Sequence, residues 1–433
     1  MQRYESYKPS DAAWLGNVPS HWDVQPLRAV TSLKSDKNRP DLPVLSVYRE
    51  YGVILKDSRD DNHNATSLDT STYKVVKPGD LVVNKMKAWQ GSMGVSSHHG
   101  IVSPAYITCT TKADRVSPAY LHYLLRSSPL IGVYNSLSYG VRVGQWDMHY
   151  EDFKRIPIPL PPKDEQDRIV AFLDQKTAEI DAAIAKKERL IELLEEEKLA
   201  LVNEAVTYGL NRAVSFKHSG IEWIEKIPSH WVVRKISHLF RLIGSGTTPA
   251  SGNPAYYENG TSDWVNTGDL NDGVMVGEVK KVSNLALKAY SSLKAYPEGT
   301  LIVAMYGATI GKTGITSRVA TVNQACCCLH GAEKISTRYA QLWFYGNKNN
   351  IVAMGYGGGQ PNISQDLIRS LRIPTPPLPE QAAIVEFVDA QTRIIDQLIQ
   401  STRIGLIKLH QLKQTLIASM VTGKFNVSGG EQW

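Results

Sequence analysis

The apolar positions of this chain follow two rhythms, and each rhythm occurs twice. Over the first 150 or so residues, short apolar runs such as "LVVNKM" and "YITCTT" are broken by Gly, Pro, Asn and Asp. This pattern predicts strands and turns with a few helices, and "WVNTGDL" and "LIVAMY" repeat it further on. Each such region ends in a proline-rich segment, "IPLPP" or "IPTPPLP". Neither can continue a helix, so each closes a globular part and presents a stiff approach to the next element. The first is followed by more than 40 residues without Gly or Pro, the second by a stretch broken only by Gly405. At 1.5 Å per residue these predict two helices, each about 60 Å long.

Both helices carry heptads. With a at 173, 180, 187, 194 and 201 and d at 170, 177, 184, 191, 198 and 205, eight of eleven positions are apolar, the exceptions being Thr177, Lys187 and Lys198. In the second helix eight of eleven are again apolar. Its exceptions, Thr392, Thr402 and Lys413, fall at the same three places, since 392 − 177, 402 − 187 and 413 − 198 are all 215. Such a seam requires a partner helix. Two matched seams in one chain pack most simply on each other, with the intervening globular region bringing the second helix back antiparallel.

The repetition extends beyond the helices. "VPSHW" at 18–22 recurs as "IPSHW" at 227–231, each with a tryptophan four residues upstream, Trp14 and Trp223. "GDLVVNKMKAWQGSMGV" from Gly79 aligns without a gap to "GTLIVAMYGATIGKTGI" from Gly299, an offset of 299 − 79 = 220. From Gln145 and Gln360 the offset is 215 and holds to Asn211 and Asn426, placing "IPIPLPPKDEQDRIVAFLD" over "LRIPTPPLPEQAAIVEFVD". Repeats of this length are duplicated domains rather than solenoid units. The predicted architecture is α+β, with two globular domains at opposite ends of two long antiparallel helices and an internal pseudo-twofold axis. The segments are 1–157, a globular domain; 158–212, proline-rich approach and helix; 213–374, a second globular domain; and 375–433, approach, helix and tail.

Composition narrows the class. No run approaches the ~18 apolar residues that span a bilayer, and the start, "MQRYESYKPSDAAW", lacks the features of a secretory signal. A cytoplasmic protein without a membrane partner is expected. Cys109 and the run Cys326-Cys327-Cys328 have poor metal-ligand spacing, because neighbouring strand residues face opposite ways; they read as small core residues. Net charge is +6, yet residues 163–205 hold 12 acidic against 7 basic residues, a balance of −5, leaving 6 + 5 = +11 elsewhere. The basic surface therefore belongs to the globular parts.

"GATIGKT" at 307–313 invites a nucleotide-binding reading, but a phosphate loop has four residues between its glycines and here there are three. The first copy keeps the segment while placing Ser92 where Lys312 stands. "NPAYY" at 253–257 and "SPAY" at 103 and 117 resemble an amino-methyltransferase loop with Ala in place of the second proline. Proline turns carrying a packed tyrosine are the better reading. Asp263 with Glu278-Val279-Lys280 imitates a metal-dependent nuclease triad that copy one does not reproduce.

The PxHWxV segment, the turn after an apolar strand (GxxxG in copy two, KxxxG in copy one) and IPxPPxxEQ opening a long helix, each present in both copies, resemble the specificity subunit of type I restriction-modification enzymes. That resemblance covers nearly the whole chain. It implies two target-recognition domains, each reading one half of a split site in double-stranded DNA. It also implies helices that set the gap and dock two methyltransferase subunits, with motor-nuclease subunits joining that core. S-adenosylmethionine would be bound by the methyltransferase partners and no cofactor by this chain, which would contribute no catalytic residue. An ATPase or methyltransferase is the alternative enzyme reading. A scaffold without a DNA role is another, though it leaves unexplained why near-duplicate helices join divergent globular parts.

Base reading requires directional donors and acceptors on loops, whereas Lys and Arg anchor phosphates. In copy one the candidates are Lys85, Lys87, Trp89 and Gln90. The matching turn of copy two offers Tyr306, Thr309, Lys312 and Thr313, and "GSGTTPASGN" adds Ser245, Thr247 and Thr248. The loops before the proline-rich segments supply Arg142, Gln145, Tyr356 and Gln360. No metal ligands are expected.

Overall fold

A computed structural model describes residues 2–59, 66–67, 69–140, 146–355 and 362–427. The chain forms two compact units that cut across the linear repeat. Unit 1 is Met1–Glu188 with Ile404–Trp433, and unit 2 is Arg189–Arg403. Each unit therefore contains the start of one long helix and the end of the other.

Unit 1 is built on an antiparallel sheet ordered Thr31–Lys34, Tyr106–Thr111, Leu81–Asn84, Met93–Val95. The central strand reads Leu-Val-Val-Asn because both its faces are covered. Leu81 and Val83 enter a core with Leu121, Leu124 and Leu125 of helix Pro118–Leu125, while Val82 packs with Leu45, Val47 and Val53 on the other side. Unit 2 repeats the plan in the order Phe240–Ser245, Cys326–Ala332, Leu301–Ala304, Thr313–Thr316, with Val274–Met275 added parallel at the edge. Its cysteine run alternates as strand geometry requires. Cys327 lies in one core and Cys326 and Cys328 in the other, all buried, and burial pushes the thiols of Cys326 and Cys327 up to about 12.

The proline-rich segments, expected only as stiff approaches, are strands. Pro157–Leu160 pairs with Asp23–Pro26, and Arg372–Thr375 with Val232–Lys235. Two-stranded ribbons tolerate proline because an edge position needs no donor on its outer side. The partner strand in each ribbon comes directly after a PSHW motif, and this ties that motif to the helix.

The helix starts are held by the same contacts in both units. Glu165 Oε2 lies 2.8 Å from His21 Nε2, and Glu380 Oε2 lies 2.8 Å from His230 Nε2. Gln166 accepts from the Ser117 N–H at 2.7 Å and donates to the Arg115 and Pro161 carbonyls. Gln381 accepts from the Ser336 N–H at 2.7 Å and donates to the Lys334 and Pro376 carbonyls. Both glutamines are buried, so these bonds satisfy an amide that would otherwise be costly to bury. Tyr120 donates to the Pro159 and Val421 carbonyls, each 3.2 Å away, and Tyr339 to those of Pro374 and Val206, each 3.1 Å away. Val421 and Val206 differ by 421 − 206 = 215, so each unit grips the far end of the other repeat's helix. Both helices end at a left-handed glycine, Gly423 (φ 70°) in unit 1 and Gly209 (φ 71°) in unit 2. Each glycine lies against the buried tryptophan of a PSHW motif, Trp22 or Trp231, where a Cβ would collide.

The helices themselves are Lys163–Tyr208 and Leu378–Val421. Their seam is packed in both units, with Leu194, Ile395 and Ile399 forming one cluster in unit 2. The polar exceptions are accommodated individually. The Thr177 hydroxyl donates back to the Leu173 carbonyl at 2.7 Å, and Lys187 lies over Gly405, where a side chain would crowd it. Lys413 reaches Asp181 at 2.6 Å in unit 1, and Lys198 reaches Asp396 at 2.7 Å in unit 2. Half-exposed pairs of this kind add at most about 1 kcal/mol; their use is to fix an antiparallel register.

One buried histidine makes unit 1 sensitive to acid. His122 accepts from the Val95 N–H at 3.2 Å, and burial, reinforced by neighbouring Arg126, pushes it down to about 4. Its folded value lies below the unfolded ~6.5, so the unfolded chain binds the extra proton between these limits. Stability is therefore complete above pH 6.5 and falls as pH drops toward 4, by up to about 3 kcal/mol. Melting curves of the chain over that range should show the loss, and His122→Gln should remove this part of the slope. An identical slope in the variant would refute the assignment.

Candidate nucleic-acid interface

The glycine turn that suggested a nucleotide site closes on itself. Gly307 (φ 84°) and Gly311 (φ 76°) let the chain reverse. The N–H groups of Ile310, Gly311 and Lys312 then donate to the carbonyls of Gly307, Ala304 and Thr309. A phosphate cradle needs such amides free and a helix N-terminus behind them. Here they are engaged, and the turn leads into the strand Thr313–Thr316. The other enzyme imitations are also structural. Asp263 is ion-paired to Arg318, Asn253 caps the turn Pro254–Tyr256, and Tyr120 of the second SPAY is the helix-gripping tyrosine described above.

In unit 1 the turn after the central strand carries Lys85, Lys87, Trp89 and Gln90. Lys87 is exposed and Gln90 half-buried. Lys85 is paired with Asp147 at 2.9 Å, so much of its charge is already neutralised. Trp89 packs edge-on against Trp146, with ring centroids 5.1 Å apart. In unit 2 the equivalent turn presents Tyr306, Thr309 and Lys312 half-buried. Thr313 is a correction. It is the first residue of a strand with both faces covered, is fully buried, and its N–H and hydroxyl both donate to Asp272 Oδ1. It therefore cannot contact DNA.

Ser245 and Thr247 are half-buried and Thr248 is exposed. Their carbonyls and hydroxyls serve the scaffold. Tyr296 donates to the Ser245 carbonyl, Trp264 Nε1 to the Thr247 carbonyl, and the Thr248 hydroxyl to Gln324 Oε1 at 2.5 Å. Arg142, Gln145, Tyr356 and Gln360 lie outside the described residues.

Sequence reading missed the second turn at this edge of each sheet. In unit 1 it is Ser103–Ala105, and in unit 2 Asn323–Ala325, at the offset 323 − 103 = 220. Exposed Gln324 joins the two expected loops of unit 2: it accepts from Thr248 and hydrogen-bonds Tyr306, whose phenol burial raises and Gln324 holds back. Asn323 donates to Asn266 Oδ1 at 3.1 Å, which extends the polar edge. In unit 1 the same region forms a groove of about 740 Å³ bordered by Tyr48, Asn84, Lys87, Trp89, Gln90 and Tyr106. One available signal was Asn84, a polar residue ending an otherwise apolar strand where copy two has Ala304. The other was the repeat itself, since the 220 offset carries Ser103 onto Asn323.

The molecule is thus a duplicated scaffold in which matching histidine, glutamine and tyrosine contacts hold the helices and the same sheet edge carries different polar side chains in each copy. Among the described residues no helix is long and apolar enough to cross a membrane, and no cluster suits a metal ion. A sequence model of the type I restriction modification DNA specificity domain matches residues 31–193 and again 228–408. The chain belongs to that family, and it is a DNA-specificity subunit of the type I restriction-modification class.

A putative type I restriction enzyme specificity subunit from Methanocaldococcus jannaschii is 23% identical over 98% of this chain and 97% of its own length. The EcoR124I/EcoR124II specificity subunit of Escherichia coli is 25% identical over 68% of this chain and 67% of its own. The HsdS subunit of Thermoanaerobacter tengcongensis shares the fold, with a TM-score of 0.52 at 16% identity, covering 94% of this chain and 98% of that one. A chain from a study of type I assembly and conformational transition superposes with a TM-score of 0.69 at 17% identity, covering 94% and 99%.

Proposed function

We propose that this chain reads a split site in double-stranded DNA, one half through each unit, and carries partner methyltransferase subunits on its long helices. Motor-nuclease subunits complete the assembly, S-adenosylmethionine is held by the methylating partners, and this chain contributes specificity without catalytic groups. The carrying observation is the contrast within the duplication. The Glu-Gln contacts at the helix starts and the tyrosine grip recur nearly atom for atom, while the sheet edge changes from Asn84, Lys87 and Trp89 to Ala304, Gly307 and Thr309. A shared docking frame with two different readers accounts for that contrast.

Lys312 tests the reading against its enzymatic rival. It is half-buried at this edge and has no ion-pair partner among the described residues. Lys312→Ala should leave ATP handling by the reconstituted complex unchanged. It should also lower the steepness of log K against log salt by about one, as for one lost phosphate contact. ATP binding by the isolated chain that vanishes with this substitution would overturn the proposal.

A further inference from the structure

The groove of unit 1 is a concavity bordered by polar and aromatic side chains. Asn84 lies at its floor, only 8% exposed. Its amide nitrogen makes one long bond, 3.4 Å to the Tyr106 hydroxyl, and its carbonyl accepts none from the described residues. Two residues that border the groove also carry a polar atom buried without a partner among the described residues, Tyr48 its hydroxyl and Trp89 its indole N–H. Buried polar groups are normally paired, and three under-used ones around one concavity call for a ligand. Tyr48, Tyr73 and Tyr106 border the same space, the Tyr48 ring packing edge-on against Tyr51 with centroids 6.2 Å apart. Exposed Lys87 stands at the rim.

Base edges inside a duplex are read by groups that project into a DNA groove. A recessed amide between aromatic rings is the opposite arrangement, and it suits a flat heterocycle that has left the stack. We propose, building on the DNA-reading function above, that this groove receives one unstacked nucleobase of the first half-site. Asn84 then hydrogen-bonds its edge with one donor and one acceptor, the tyrosine rings flank it, and Lys87 holds the adjoining phosphate. Unit 2 has no counterpart, because Ala304, Thr309 and Cys326 stand where Asn84, Trp89 and Tyr106 stand in unit 1.

The test uses the full chain assembled with its methylating partners on its mapped site. 2-Aminopurine replaces each purine of the first half-site in turn, and permanganate reports each thymine. One position beyond the base taken by the methylating subunit should become fluorescent or reactive on binding. Asn84→Ala should reduce that signal about tenfold, and Tyr48→Phe, which removes only a hydroxyl, should weaken it. The methylation target's own signal should stay unchanged in both variants. Specific binding with no position responding to either substitution would overturn the pocket and leave the DNA-reading function standing. A complex that does not distinguish the site from random DNA would overturn both.

Discussion

Residues 1–212 alone should assemble as a dimer that methylating partners direct to a palindrome of the first half-site. In the full chain, unit 1 is completed by the end of the second helix. Leu416, Met420 and Val421 are buried in the same core as Trp22 and Leu173, and the Val421 carbonyl accepts from Tyr120. Exposing three such side chains costs on the order of 5 kcal/mol, comparable with the whole stability of a typical domain. A folded monomeric fragment is therefore not a stable outcome. The fragment does carry the equivalents at the 215 offset, Leu201, Ala205 and Val206, which make the matching contacts in unit 2. A second copy can supply them through an isologous interface. Ala205 is smaller than the Met420 it would replace, so Ala205→Met should tighten the dimer by filling that space. Site symmetry mirrors protein symmetry, so sequencing of methylated DNA should return the first half-site and its inverse. A folded monomer by light scattering, or methylation of the original asymmetric site, would contradict this account.

The parts of the fold that repeat were the parts legible from sequence. The heptads located both long helices and their three polar exceptions, because a seam leaves a periodic trace whatever fills it. The GxxxG alignment placed a strand, turn and strand correctly in both copies. The compact units were not legible. A helix grips a distant tyrosine through one backbone carbonyl, Val421 or Val206, and a carbonyl carries no residue identity. Thr313 was misplaced because its polar group is satisfied internally by Asp272; the signal available was its repeat counterpart, the apolar Met93, which is equally buried in unit 1. The PSHW and EQ motifs were visible as repeats. Their long-range pairing, His21 with Glu165 and His230 with Glu380, follows only from the ribbon that joins them. Asn84 and Gln324 escaped notice for the converse reason. Residues proposed to read bases differ between the copies, so the duplication that exposes the scaffold hides them.

The helices as a ruler give the most direct test of the central claim, that one duplicated frame spaces two independent readers. Each unit holds one ion pair between the helices, Asp181 with Lys413 in unit 1 and Lys198 with Asp396 in unit 2. The unit boundaries fall within the two helices in sequence, at 188/189 and 403/404. Seven residues inserted at each of these points preserve the seam, because seven is two turns of a supercoiled helix, and lengthen the pair by about 10 Å. Methylation mapping of the doubly inserted chain should then find both half-sites unchanged and the gap between them longer by about three base pairs, at ~3.4 Å each. An unaltered gap, or altered bases in either half-site, would contradict it.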